Sequence, residues 1–184
     1  MSVTTSHTGA GPAAVTAAGS DLTPSGGRGR SGIDLAAVAA RLAGERHLWA
    51  GLVDFDPVSR YYARIAAETD WEAWLLTWLP GQGTPWHDHG DSSGSFLVLQ
   101  GELTERVAVR HEPDGRTVGH EATRLRAGRQ RTFGHTYVHQ VGNEGFDPAV
   151  SLHVYAPRLT VMTTYAVDGT SLHPASTEQK GVDW

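Results

Sequence analysis

The sequence predicts a mainly β fold, a small antiparallel barrel or jelly roll with N-terminal helices, and three observations carry that prediction. From residue 71 onward, short runs rich in aliphatic, aromatic and Thr residues recur at 71–79, 95–99, 103–109, 120–125, 130–133, 139–141, 150–155 and 160–166. The breaks hold Pro80-Gly81, Gly83, Gly101, Pro113-Asp114-Gly115, Gly128, Gly142 and Pro157, residues whose backbone preferences make turns. Before residue 71, helical spacing of apolar residues is confined to one clear stretch. Many short strands at such intervals favour closing or doubling a sheet, because that removes exposed edges.

Residues 1–32 are rich in Gly, Ser, Thr, Pro and Ala and bury too little apolar surface to offset their ordering entropy, so a disordered leader is expected there. The ordered domain is expected over 33–184. Its first element is the helix in DLAAVAARLA, which has Asp34 as N-cap and Gly44 as stop. Asp56-Pro57 suggests a second short helix, with Asp capping and Pro in the first turn, before residues 61–65 turn extended. The strands above follow, with no convincing long repeat.

A length of 184 residues suits one domain with one sizeable core. The formal net charge of -5 leaves no extended basic field, which argues against nucleic acid as a partner. The chain has no cysteine, so structural disulfides, thiolate zinc sites and iron–sulfur clusters are excluded and any metal must be held by His, Asp or Glu. No basic and apolar signal segment opens the chain and no run approaches ~18 apolar residues. A cytoplasmic protein without a membrane partner, working as a monomer, is the expectation.

The stretch PWHDHGD at 85–91 sets His87 and His89 one residue apart. In an extended segment both rings project to one side while Asp88 points away, so the two could share an ion; ordinary loop or core histidines are the bland alternative. A glycine-rich approach at 80–85 precedes the pair, and the strand at 96–99 and Gly101 follow it. A further histidine arrives within Gly134-His135-Thr136-Tyr137-Val138-His139-Gln140-Val141-Gly142-Asn143.

This order of motifs resembles the cupin superfamily, and within it the thiol dioxygenases, above all cysteine dioxygenase. The glutamate that usually follows the histidine pair in cupins is missing from 90–95, unless Asp91 substitutes for it. Three neutral imidazoles without a carboxylate match the thiol dioxygenase branch. The resemblance runs through Trp78-Leu79-Pro80-Gly81, the segment 87–92, Leu99-Gln100-Gly101, the segment 139–143 and 149–157. It implies a cupin-type barrel with one Fe(2+) per chain on His87, His89 and His139, since the family places its third ligand just before a Val-x-Asn step. His135 is then a loop residue.

An iron(II) ion on three neutral histidines keeps open positions that favour an anionic thiolate, and the resemblance implies oxidation of L-cysteine with O2 to cysteine sulfinic acid. Zinc accepts the same donors, so the iron assignment rests on likeness. The substrate carboxylate needs a cation, and the family's Tyr-x-Arg clamp falls on Tyr62 and Arg64, with Arg60 a weaker competitor. Arginine there, where relatives that prefer mercaptopropionate carry glutamine, favours cysteine. Ser151, His153 and Tyr155 share one face of a strand. That spacing does not suit a serine hydrolase, and the three resemble the family's outer-sphere relay; a core tyrosine above a satisfied histidine is the plain alternative. Trp78 and Trp86 are expected to wall the pocket. Ala156-Pro157 is a candidate cis peptide, although trans is the commoner form. Gly94 stands where animal cysteine dioxygenases carry the cysteine that they join to the relay tyrosine, so that link cannot form here. A 3-mercaptopropionate or other small-thiol dioxygenase, and a non-catalytic metal-binding cupin sensor, are the competing readings.

Overall fold

The computed structural model describes residues 32–111, 115–119 and 121–179. The expected leader therefore lies outside the described residues except for Gly32, and so do the last five residues of the expected domain. Helix α1 spans Leu35–Gly44, and Asp34 Oδ1 accepts the Ala37 N–H at 3.0 Å, the side-chain cap its position predicts. Its buried stripe, Leu35, Ala39 and Leu42, packs on Ala73, Leu152, Val154 and Ala156.

Two single 3-10 turns, Arg46–Leu48 and Ala50–Leu52, follow where none is expected. No helix starts at Asp56-Pro57. Asp56 Oδ1 does accept the Val58 and Ser59 N–H groups, at 2.7 and 3.3 Å, but the Asp56 and Ser59 carbonyls accept from Gln82 Nε2. A helix would need those carbonyls for its own ladder, so the chain turns once and runs on extended.

Among the described residues thirteen strands follow: β1 Tyr62–Ala67, β2 Glu72–Trp78, β3 Trp86–His87, β4 Ser93–Gln100, β5 Glu102–Val107, β6 Val109–His111, β7 Gly115–Thr117, β8 Ala122–Arg126, β9 Gln130–Phe133, β10 His139–Gly142, β11 Ala149–Ala156, β12 Val161–Asp168 and β13 Ser171–Gln179. One sheet has the order β1-β2-β11-β4-β9, and the other β6-β7-β13-β12-β3-β10-β5-β8. Every pairing between them is antiparallel. The mainly β jelly-roll expectation holds.

Two strand expectations need correction. The run 103–109 breaks at Ala108 into β5 and β6. The strand pattern does not predict β13, because it reads SLHPASTEQ, polar and with an internal proline; Pro174 is the register partner of Tyr165 and sits beside a shift between Thr164 and Tyr165 that skips Ala175, a local break in the ladder of the kind where a strand proline is found. β11 is buried on both faces. Leu152, Val154 and Ala156 meet α1, while Tyr155 joins Trp74, Leu76, Trp78 and Phe96 in the core between the sheets. The Ala156–Pro157 peptide is cis rather than the commoner trans.

Candidate metal centre and its cavity

His87 and His89 project together from the short β3 and the turn after it, and His139 opens β10. His87 and His139 are register partners, so a pair 52 positions apart in the chain becomes a cross-strand pair. All three are buried, and one ring nitrogen from each lies within 4.8 Å of the others. Among the described residues this is the cluster of ligand-bearing side chains that could share one ion. His135 is exposed and outside it.

The three rings are held in three ways. His87 Nδ1 lies 2.9 Å from the Pro85 carbonyl, which turns its Nε2 away from the backbone. His139 Nδ1 lies 2.8 Å from Glu105 Oε1. His89 is held by packing, stacked on Phe133 at 4.8 Å between centroids, and its buried Nδ1 has no hydrogen-bond partner. Asp88 points to the other side, as alternation requires. It ties the segment to β12, accepting the Tyr165 O–H at 2.7 Å and the Thr163 N–H at 3.3 Å. Gly90 then turns at φ +56°, and a Cβ there would sit 3.1 Å from the Val161 carbonyl oxygen, so the turn that brings β3 against β12 needs glycine.

The donor chemistry fits a metal ion. Burial, reinforced by neighbouring histidines, holds His87 and His89 well below the usual imidazole range, so their lone pairs are available without a proton to displace. An orphaned buried nitrogen on His89 is costly unless something other than the protein satisfies it. The carboxylate sought at 90–95 is not among the ligands: Asp91 is exposed. The nearby carboxylate is Glu105, fully buried, on the far side of His139. Glu105 also accepts from Arg131 Nε at 2.6 Å and from Tyr137 O–H at 3.1 Å. These partners outweigh burial and keep its carboxyl below the usual range. Sequence reasoning missed Glu105 because it looked beside the histidine pair, whereas β5 reaches the site through β10. Its one local signal is a lone glutamate on the inward parity of a strand.

Opposite the histidines, β11 presents a hydrogen-bonded line. Trp78 Nε1 donates to Ser151 Oγ at 2.9 Å, Ser151 Oγ lies 2.8 Å from His153 Nε2, and His153 Nδ1 lies 3.3 Å from Tyr155 Oη. Indole is only a donor, so Trp78 fixes one end of the line. Burial pushes His153 down to about 3 and lifts the Tyr155 phenol well above its usual range; both are neutral near pH 7. The Tyr155 ring lies 5.1 Å from that of His89.

Between the two groups is a narrow cavity of about 20 Å³, lined on its polar side by Arg60, Thr84, His87, His139, His153 and Tyr155. Leu76, Trp78, Val141 and Met162 complete the wall. A wider cleft of about 310 Å³ lies beside it, but its charged side chains, Arg106 and Glu144, pair with each other.

The arginine expectation needs correction. Arg60, not Arg64, reaches the cavity, its guanidinium 4.8 Å over the Trp78 ring. Arg64 lies over Trp74 at 5.6 Å. Both have the inward parity, but in the β1–β2 register Arg64 is opposite Trp74, roughly 13 Å along the strand from residue 60 at ~3.3 Å per residue. Burial lowers the Arg60 pKa, opposed by Tyr155 and Tyr62. Tyr62 packs edge-on against Trp74 and does not line the cavity. Trp86 is also displaced from its expected place: sharing the parity of Asp88, it packs with Val138, Tyr165 and Leu172.

The sequence model of the family described as "Cysteine dioxygenase type I" matches residues 30–168. Cysteine dioxygenase type 1 of Bos taurus is 28% identical over 130 residues, 68% of this chain and 64% of the bovine protein, so the match spans less than two thirds of that relative. Among solved structures, the protein TT1209 from Thermus thermophilus superposes with a TM-score of 0.50 and 28% identity, covering 59% of this chain and 93% of that one. A protein from Klebsiella pneumoniae with a double-stranded β-helix domain does so with a TM-score of 0.50 at 20% identity, covering 59% and 80%, a likeness of fold. No helix among the described residues is long and apolar enough to cross a membrane.

Proposed function

The chain belongs to the cysteine dioxygenase type I family, and from that premise we propose that it oxidises a small thiol, L-cysteine first, to the sulfinic acid with O2 at an iron(II) ion held by His87, His89 and His139. The observation that carries this reading is one cavity walled by Arg60, His87, His139, His153 and Tyr155, with His89 converging on the other two imidazoles and Ser151 holding His153 from behind. A simple metal-binding module has no need of the arginine or the line.

The ion, when bound, supplies open positions where a thiolate and dioxygen meet. The protein does the rest. Arg60 pairs with the substrate carboxylate, and the Trp78 face beneath it limits where the guanidinium can point. Leu76, Val141 and Met162 exclude water and so strengthen each of these contacts. The cavity has room for little more than one water, so a thiol enters by displacing Met162, the flexible apolar part of the wall. His153, neutral and fixed by Ser151, positions the Tyr155 hydroxyl and sets where its proton lies. Both oxygen atoms end on sulfur, whose electrons reduce dioxygen, so no further reductant is needed. Cytoplasmic location and a monomeric working unit belong to the same proposal.

Oxygen uptake by the iron(II)-loaded protein tests it. Cysteine should support uptake and yield sulfinate. Arg60→Ala should raise KM for cysteine at least tenfold, in line with loss of a charge-assisted pair, while leaving cysteamine, which has no carboxylate, nearly unaffected; Arg64→Ala should change neither. Uptake with 3-mercaptopropionate alone would move the substrate within the same class. No uptake with any small thiol would overturn the enzymatic reading and leave a metal-binding cupin.

A further inference from the structure

We propose that Glu105 is a positioning residue of the metal centre, supplying from behind His139 the anionic group that the ligand set itself lacks. This rests on the reading of His87, His89 and His139 as metal ligands. Glu105 lies on β5 opposite Val141 of β10, and His139 is opposite Val107, so Glu105 and His139 are diagonal neighbours on the inner face. The carboxylate is fully buried, and its three partners come from different places: His139 on β10, Tyr137 in the preceding turn, and Arg131 on β9 of the other sheet.

A buried carboxylate serving only to join two sheets would need just the arginine, and it would be a poor device, because its desolvation offsets most of the attraction. Here Oε2 takes Arg131, while Oε1 is shared by the Tyr137 hydroxyl and His139 Nδ1. Acceptance from Nδ1–H fixes the tautomer of His139, so its Nε2 lone pair is left for the ion. It also places a negative charge one ring away from the cation without occupying a coordination position. His87 meets only a backbone carbonyl, and among the described residues no hydrogen bond ties His89 Nδ1 to a carboxylate. The three imidazoles are therefore unequal donors, His139 the strongest. Arg131 and Tyr137 hold the carboxylate in that posture, and Arg131 is partly open to solvent, with 21% side-chain exposure.

The test reads metal affinity, not turnover. Cobalt(II), whose visible absorption reports its ligands, is titrated against a chromophoric chelator into wild type, Glu105→Gln, Glu105→Asp and Tyr137→Phe. Glu105→Gln, a near-isosteric change, should weaken cobalt(II) binding by about 10- to 100-fold and alter the absorption band. Tyr137→Phe should weaken it less, and Glu105→Asp, which keeps the charge, should lie between wild type and Glu105→Gln. Glu105→Gln binding within twofold of wild type with an unchanged band overturns the inference. Should that variant fail to fold by circular dichroism, Tyr137→Phe decides, since it leaves His139 and the ion pair in place: wild-type affinity overturns the inference and a loss supports it. A wild type that binds neither cobalt(II) nor iron(II) removes the metal reading itself, an outcome distinct from equal binding by wild type and variant.

Discussion

The two walls of the cavity are built differently. Ser151, His153 and Tyr155 stand on β11, a continuous strand buried along all eight residues and paired on both sides, to β2 and β4. Alternation alone aligns their side chains. The histidines stand on a two-residue strand, the turn after it and the first residue of β10, where short pairing fixes little. Each ring there depends on a partner outside the strand pairing: His87 on the nearby Pro85 carbonyl, and His89 and His139 on the distant Phe133 ring and Glu105. The lesson is that a strand can orient a relay by its own geometry, whereas a ligand cluster on short segments needs anchors from elsewhere in the fold.

The largest effects that sharpen this contrast involve two phenylalanines. Phe133 stacks on His89, and Phe96 stacks on His153 at 5.1 Å between centroids; both are buried. Phe133→Ala and Phe96→Ala should each cost about 3–5 kcal/mol in urea unfolding. Only Phe133→Ala should also loosen iron retention on dialysis, since β11 keeps its pairing without Phe96. Equal metal loss in both variants would break the contrast.

A second effect comes with acid. His153 is held down to about 3 by burial, with His139 and Arg60 adding to it, while the unfolded chain titrates near 6.5. Above the unfolded value both states are neutral and stability is unaffected. As pH falls from 6.5 towards 3 the unfolded state takes up a proton that the folded state refuses, so the metal-free protein loses up to about 1.4 kcal/mol per pH unit from this group. His153→Gln should reduce the slope of unfolding free energy against pH in that window. An unchanged slope would show that the relay wall does not exclude the proton.

The smallest effects separate the anchors. Tyr165→Phe removes the O–H donor to Asp88 and should cost about 1.5–3 kcal/mol, as for a hydrogen bond to a charged group. It should also reduce metal affinity through the segment that Asp88 ties down. Trp78→Phe removes the donor to Ser151, a neutral pair worth about 1 kcal/mol, and should spare metal binding. Chelator competition beside thermal unfolding distinguishes the two patterns.

Much of this was legible in the sequence where local rules suffice. The cap at Asp34, the parity of His87 and His89, and the shared face of Ser151, His153 and Tyr155 follow from periods of 3.6 and 2. What escaped depends on register. Arg60 and Arg64 have the same parity, and only the pairing of β1 with β2 decides which reaches the cavity. Glu105 lies 34 positions from its histidine, and only its inward parity on a strand marks it. β13 hid behind a polar sequence and a proline beside a bulge.

A Cβ placed on Gly94 would overlap the ring edge of Phe133 and come within 3.1 Å of Tyr155 Cδ1. Positions 94 and 133 therefore compete for one volume. A lineage could acquire a methyl, a hydroxymethyl or a thiol at the former only by trimming the aromatic at the latter, and in doing so it would surrender the platform beneath His89. Any route from this arrangement to one with a substituent at 94 passes through two coupled replacements, the first of which is harmful alone.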